Sequence, residues 1–67
     1  MRVNDILSNI EDNQKIGIII KTDYYMDDYI FFGDADLLPY VYYKRHVVKF
    51  YSDYCPTIGS FIGIVIR

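Results

Sequence analysis

The sequence predicts an α+β fold in which one short N-terminal helix packs on a strongly bent, four-stranded, mainly antiparallel sheet. Apolar residues near the start of the chain recur at helical spacing, and four later runs are rich in β-branched and aromatic residues. A length of 67 residues predicts a single domain, residues 1–67. The most apolar run, 60–67, is typical of a strand buried on both faces, so the other elements must supply its neighbours.

The helix is predicted from four apolar residues at positions i, i+3, i+4 and i+7, namely Val3, Ile6, Leu7 and Ile10. This spacing places all four side chains on one helix face. Asn4 is the predicted N-cap, and the polar stretch 11–13 is the predicted end. Because so short a helix is marginal alone, its apolar face must dock on the sheet.

Two strands are predicted next, over 15–21 and 29–33, joined as a hairpin by the loop 22–28. Residues 34–40 are predicted to cross from this hairpin to a second one. In this crossover Asp36 is expected to cap a single turn, which Pro39 limits because it disfavours helical geometry at the preceding residue.

The second hairpin is predicted to contain a strand over 46–51, a loop over 52–59 and the C-terminal strand over 60–67. The segments 15–21 and 61–67 both contain an Ile-Gly-Ile sequence and end in a basic residue. Two explanations stay open. The segments resemble each other because buried strands use few residue types, or they are spatial neighbours whose glycines leave a gap for the helix or for a tight bend of the sheet.

Apolar side chains are predicted on both faces of the sheet. Ile62, Ile64 and Ile66 are predicted to share one face. The opposite face is expected to carry Ile19, Phe31, Phe61 and Val65. One short helix cannot cover both faces. The sheet is therefore expected either to curl into a small, SH3-like barrel or to pack against a second copy.

The composition favours self-association, as a homodimer or a larger assembly. The chain is 52% hydrophobic and 18% aromatic, which is more than so small a core is expected to bury. Cys55 is the single cysteine and so has no partner for an internal disulfide. Cys55 and His46 together are too few ligands for a zinc site. Neither a cofactor nor a metal is therefore predicted.

The net charge of −2 does not favour a polyanionic partner. No apolar segment approaches the roughly 20 residues that span a bilayer. The first residues, Met-Arg-Val-Asn-Asp, lack a hydrophobic signal region. A cytoplasmic location without membrane association is therefore expected.

The eight tyrosines are the main candidates for a binding surface, because exposed tyrosine offers a large contact area at low entropic cost. The predicted binding residues are Tyr24, Tyr25, Tyr40, Tyr42, Tyr43, Lys44, Arg45 and Tyr54. The same rings would alternatively cover the ends of a small core with their hydroxyl groups in water.

Two other binding functions are open. Lys44, Arg45 and Lys49 alternate with aromatic residues, as in surfaces that stack on single-stranded nucleic acid and contact its phosphates. Tyrosines and cations at a subunit interface would also suit a small nucleotide-like signal. The aspartates at 23–36 lack the spacing of a calcium loop and are expected to serve turns and caps, or to form a patch for a basic partner.

The segments 3–13, 36–40 and 45–48 together resemble a group of small uncharacterised proteins of Gram-positive bacteria, their phages and mobile elements. The shared pattern is a short helix ending in acidic residues, a β-hairpin, an Asp-Leu-Pro-Tyr-type crossover and a basic residue before a Val-rich strand. This chain departs from the pattern in its extra tyrosines and in the length of 52–59. The resemblance implies an accessory protein that acts by stoichiometric binding, such as inhibition of host defence. We expect a non-enzymatic binding protein with a protein partner.

Overall fold

The computed structural model describes residues 1–21 and 29–67. The elements are α1 (Val3–Leu7), β1 (Lys15–Ile20), β2 (Phe31–Asp34), two 3₁₀ turns (Ala35–Leu37 and Tyr40–Tyr42), β3 (Val47–Cys55) and β4 (Gly59–Ile66). The strands form one sheet in the order β2-β1-β4-β3. The prediction of an α+β fold with a short helix and four strands is confirmed. The sheet is mixed and open, so the barrel alternative is not confirmed.

The centre of the sheet is a parallel pair, β1 and β4, and each edge strand is antiparallel to its neighbour. Gly17 lies opposite Gly63, and the isoleucines on either side match in the same register. The two segments are therefore neighbours, as the second explanation expects, but the groups that approach Gly17 and Gly63 are the rings of Tyr29 and Tyr51 and not the helix. Both central strands are shielded by an edge strand and have apolar side chains on both faces, as parallel strands require.

One face of the sheet carries the main core. It contains Val3, Ile6, Ile16, Ile18, Ala35, Leu38, Ile64 and Ile66, all of which are buried. Phe31 packs against this cluster and lies opposite Ile18, so its expected placement on the other face is wrong. The next residue, Phe32, lies opposite Gly17 and occupies that other face, as strand alternation demands.

The helix begins one residue after a β-bridge between Arg2 and His46. The Arg2 N–H donates to the Asp5 carboxylate at 2.8 Å, and the Asp5 N–H donates to the Arg2 carbonyl at 3.0 Å. The predicted N-cap at Asn4 is therefore wrong, because the bridge fixes the helix start at Val3. The helix ends at Leu7, before Ile10. No helix in the described ranges has the length and apolar character needed to cross a membrane.

The crossover starts with a 3₁₀ turn that is tied to the chain before β1. The Ala35 N–H donates to the Gln14 carbonyl at 2.9 Å, and the Asp36 N–H donates to the Asp12 carbonyl at 3.1 Å. These tertiary bonds start the turn after Asp34, so the predicted cap at Asp36 is wrong. Leu38 is extended, with φ −65° and ψ 127°, which agrees with the limit expected from the following proline.

The second hairpin is longer than predicted. Strand β3 continues to Cys55, and the turn that follows has the Ile58 N–H donating to the Cys55 carbonyl at 3.0 Å. Gly59, with φ 99°, adopts the left-handed conformation that completes the turn. The predicted loop over 52–59 is wrong because Ser52 and Asp53 pair with β4. Polar residues are tolerated there since β3 is an edge strand.

The face away from the helix is built on the two glycines. The rings of Tyr29 and Tyr51 lie where side chains at Gly17 and Gly63 would project. Tyr29, Phe32 and Phe61 form an edge-to-face aromatic cluster with ring centroids 4.9–5.8 Å apart. The glycines therefore give the aromatic rings room to approach the backbone of the central strands.

We expect Gly63→Ala to destabilise the fold by about 1–3 kcal/mol, because the added methyl group would lie 2.6 Å from Cε2 of Tyr51. Chemical denaturation followed by circular dichroism would measure this. The loss should shrink in a Tyr51→Ala background. Gly33→Ala is the matched control, since its methyl group would meet its nearest neighbour, Phe31, at an ordinary 3.5 Å. Equal effects of the two alanines would contradict the assignment.

Candidate protein-interaction surface

Among the predicted binding tyrosines that the structure describes, Tyr40 is the most exposed, and it lies in the second 3₁₀ turn of the crossover. Its side chain is 80% exposed, and its neighbours Leu37 and Val41 are 68% and 62% exposed. We call these three residues the crossover patch. Leu37 and Tyr40 are three positions apart, so their Cα atoms are within about 11 Å of each other. One short segment thus presents three large apolar side chains to solvent.

The local backbone explains why these side chains point outward. Within the second turn Tyr42 packs against the core, as does Tyr43 directly after it. Tyr40 and Val41, the first two residues of the same turn, are exposed instead. Leu38 is buried between the two turns, which leaves Leu37 facing solvent. The exposure of the patch follows from the anchoring of its neighbours.

A shallow depression lies between the helix and the crossover, and its lining residue Asp36 directly precedes Leu37 of the patch in sequence. This depression has a volume of about 260 Å³, and its lining includes Asn4, Leu7, Asp12, Asp36 and Tyr43. Asp12 and Asp36 are exposed, so the margin of the depression is acidic. The surface as a whole combines an apolar segment with a negatively charged margin.

The predicted basic pair serves the fold. Arg45 is half-buried, and its Nε donates to the Arg67 carbonyl at 2.8 Å, which fixes the end of β4. The Lys44 carbonyl accepts a bond of 2.6 Å from Nη1 of Arg2. The Lys44 side chain itself is exposed. The two residues therefore hold the start of β3 against the N-terminus and the end of β4.

The predicted binding residues that the structure describes do not lie on one surface. Tyr42 and Tyr43 pack on the core, and Tyr54, 65% exposed, lies near the far end of β3. Tyr54 is seven positions along the strand from Val47, a span of about 23 Å. Tyr24 and Tyr25 lie outside the described residues. The nucleic-acid alternative stays a prediction, but two of the rings it would use are packed on the core.

Sequence reasoning missed the pair formed by Tyr29 and Tyr51. Their hydroxyl oxygens are 2.8 Å apart, so one donates a hydrogen bond to the other. Desolvation of Tyr29, together with the Tyr51 hydroxyl, raises the pKa of Tyr29 above its usual value. The signal that would have found the pair is the matching of Gly17 with Gly63, because paired glycines in strands call for rings above them.

No protein-family model, no curated protein and no solved structure matches this chain. Its function must therefore be argued from its own surface.

Several charged side chains already have partners within the fold. Lys15 forms an ion pair with Asp34 across the β1–β2 hairpin. Asp53 accepts the Tyr54 N–H at 2.8 Å. In the described part of the chain, His, Cys, Asp and Glu form no group of three that could hold a metal ion. His46 is exposed, and the Cys55 thiol is half-buried next to the hairpin turn.

The raised pKa of Tyr29 predicts a loss of stability at high pH. Unfolded tyrosine loses its proton near pH 10, whereas the folded state retains it to higher pH. The contribution of protonated Tyr29 to the free energy of unfolding is therefore fully present below about pH 10. It falls as pH rises toward the pKa of Tyr29 in the folded state. Tyr29→Phe should flatten the fall in unfolding free energy between about pH 9 and 11.

Urea denaturation at several pH values would measure this slope. Tyr40→Phe is the control, because it removes a hydroxyl group from an exposed ring and should keep the wild-type slope. A slope unchanged by Tyr29→Phe would show that this hydroxyl does not couple protonation to folding.

Proposed function

We propose that the protein is a non-enzymatic binding protein that acts stoichiometrically on a protein partner through the crossover patch. The observation that carries this proposal is the exposure of Leu37, Tyr40 and Val41 on one short, anchored segment. Tyrosine and large aliphatic side chains dominate binding energy when a partner removes them from water. Because the flanking turns are fixed by hydrogen bonds, little ordering entropy is lost on binding.

The chemistry of the surface defines the partner. An apolar segment with an acidic margin at Asp12 and Asp36 fits a protein surface that has an apolar recess and basic residues around it. Opposite charges at the margin would raise the association rate and orient the two proteins, whereas the apolar contact would supply most of the affinity.

The resemblance to small proteins of phages and mobile elements supports an accessory role. A protein of that kind that acts by occupying a partner fits inhibition of a host defence protein, and a basic, nucleic-acid-processing partner would match the acidic margin. This part of the proposal depends on the resemblance, whereas the binding role depends on the crossover patch.

The triple variant Leu37→Ser, Tyr40→Ser and Val41→Ser should weaken partner binding while leaving the fold intact, since all three side chains are already exposed. The measurement is quantitative affinity capture from host cells with the wild-type and variant proteins, followed by calorimetry with the purified partner. We expect the wild-type protein to bind the partner at a fixed stoichiometry. The affinity of the variant should be at least about tenfold lower.

Ile58→Ser is the matched control, because Ile58 is a 44% exposed aliphatic residue on the hairpin turn, outside the patch. The Ile58→Ser variant should bind the partner with the affinity of the wild type. A captured protein that binds the triple variant as tightly as the wild type would remove the crossover patch from the proposal. Capture of nucleic acid in place of a protein would favour the alternative based on Lys44, Arg45 and Lys49.

A further inference from the structure

The long edge strand β3 offers an open row of backbone groups whose direction follows from the pairing of β4. The Ile66 carbonyl accepts the Lys21 N–H at 2.8 Å, so Ile66 turns its backbone groups toward β1. Since direction alternates along a strand, the odd-numbered residues of β4 turn toward β3. Their partners on β3 are Lys49, Tyr51 and Asp53, which therefore form the hydrogen bonds between the two strands.

The intervening residues Phe50, Ser52 and Tyr54 consequently direct their backbone N–H and C=O groups away from β4. At the start of the strand the outer edge is occupied, because the Val47 N–H donates to the Met1 carbonyl at 2.9 Å. Beyond that point, within residues 1–21 and 29–67, the edge from 48 to 54 has no neighbouring strand. The midpoint of this open edge is Tyr51.

We propose that a second copy of the chain adds its β3 antiparallel to this edge, with Tyr51 of each copy opposite the other. The two sheets would then form one eight-stranded sheet about a two-fold axis perpendicular to it, with both helices on the same face. This pairing aligns the whole open edge of one copy with that of the other. A second copy is a self-complementary occupant because an isologous interface uses the same patch twice.

Charge complementarity selects both this occupant and this register. With Tyr51 at the axis, Lys49 of one copy lies opposite Asp53 of the second copy, and the symmetry repeats the pair. Side chains in directly opposed positions have Cβ atoms about 4.5–5.5 Å apart, close enough for opposite charges to pair. A shift of the axis to Phe50 or Ser52 would leave both charges without an opposite partner.

The hydrogen-bonding pattern fits the same register. Phe50 would lie opposite Ser52 of the second copy, and both residues direct their backbone groups outward, so the two symmetric pairs would exchange four hydrogen bonds. Phe50 is 53% exposed on the helix side of the sheet. Its symmetry mate would lie diagonally across the axis, about 7–8 Å away, within reach of an aromatic ring.

The charges on β3 also explain why a single copy avoids indiscriminate pairing. Lys and Asp on an edge strand discourage association with unrelated strands. The Asp53 carboxylate accepts the outward-directed Tyr54 N–H at 2.8 Å, which satisfies that donor in a single copy. Because Lys49 and Asp53 are symmetric about Tyr51, the same charges that repel other edges attract a second copy.

A charge-swap experiment tests the inference. Lys49→Glu and Asp53→Lys should each weaken the dimer at least about tenfold, because each replaces two attractive pairs by two repulsive ones. An equimolar mixture of the two variants should form a heterodimer, since every cross-strand pair is then attractive. Analytical ultracentrifugation at low salt over micromolar to submillimolar concentrations measures all three samples and the wild type.

A wild-type protein that stays monomeric throughout this range would overturn the inference. So would single variants that dimerise as tightly as the wild type, or a mixture that fails to associate. Circular dichroism of each variant shows that the fold is retained, which is expected because both side chains are exposed.

Ser52→Pro provides a second, backbone-level test. Ser52 directs its N–H outward, so proline would remove a bond of the dimer but none within the β3–β4 hairpin. Ser52→Pro should abolish the dimer, whereas Ser52→Ala should keep it. The inference does not depend on the crossover patch: these variants leave Tyr40 and its neighbours unchanged, and the triple serine variant leaves β3 unchanged.

Discussion

The fold depends on the parallel pairing of β1 with β4. These strands begin far apart in sequence but meet in register, with glycine opposite glycine and isoleucine opposite isoleucine or valine. Ile18, Ile64, Val65 and Ile66 have no accessible surface. A strand pair that is buried on both faces needs other elements to pack on each face. The remaining elements of the described chain provide this packing.

The two faces are covered by different means. On one face the short helix and the crossover lie side by side on the isoleucines, joined by backbone bonds from Val3 to Arg45 and from Asn4 to Tyr43. On the other face aromatic rings cover the strands directly, because Gly17 and Gly63 leave space for them. The crossover is long because it must travel the length of the sheet, and its outward side chains are the consequence of that path.

The two edges of the sheet also differ. Strand β2 has only four residues and runs directly into the first 3₁₀ turn, so its edge is short. Strand β3 has nine residues, and within 1–21 and 29–67 the backbone that covers its outer edge is Met1, at one end. Exposed apolar side chains lie both on the crossover patch, at Leu37, Tyr40 and Val41, and on β3, at Phe50 and Tyr54.

The sequence by itself determined the class of the fold and the centres of its strands. Alternation and β-branched residues identified all four strands, and the helical spacing at Val3 and Ile6 identified the helix, because these patterns are local. The exposure of some tyrosines, Tyr40 among them, could be predicted because a core of this size has no room for all eight. The limit set by Pro39 was likewise a local, steric effect.

Only the tertiary structure decided the strand order, the element ends and the sorting of the tyrosines. The helix start depends on the bridge between Arg2 and His46, and the first turn depends on bonds to Gln14 and Asp12. The end of β3 depends on pairing with β4, which overrides the weak strand preference of Ser52 and Asp53. Whether a ring covers the core or faces solvent is likewise set by distant contacts, which no local pattern of residues encodes.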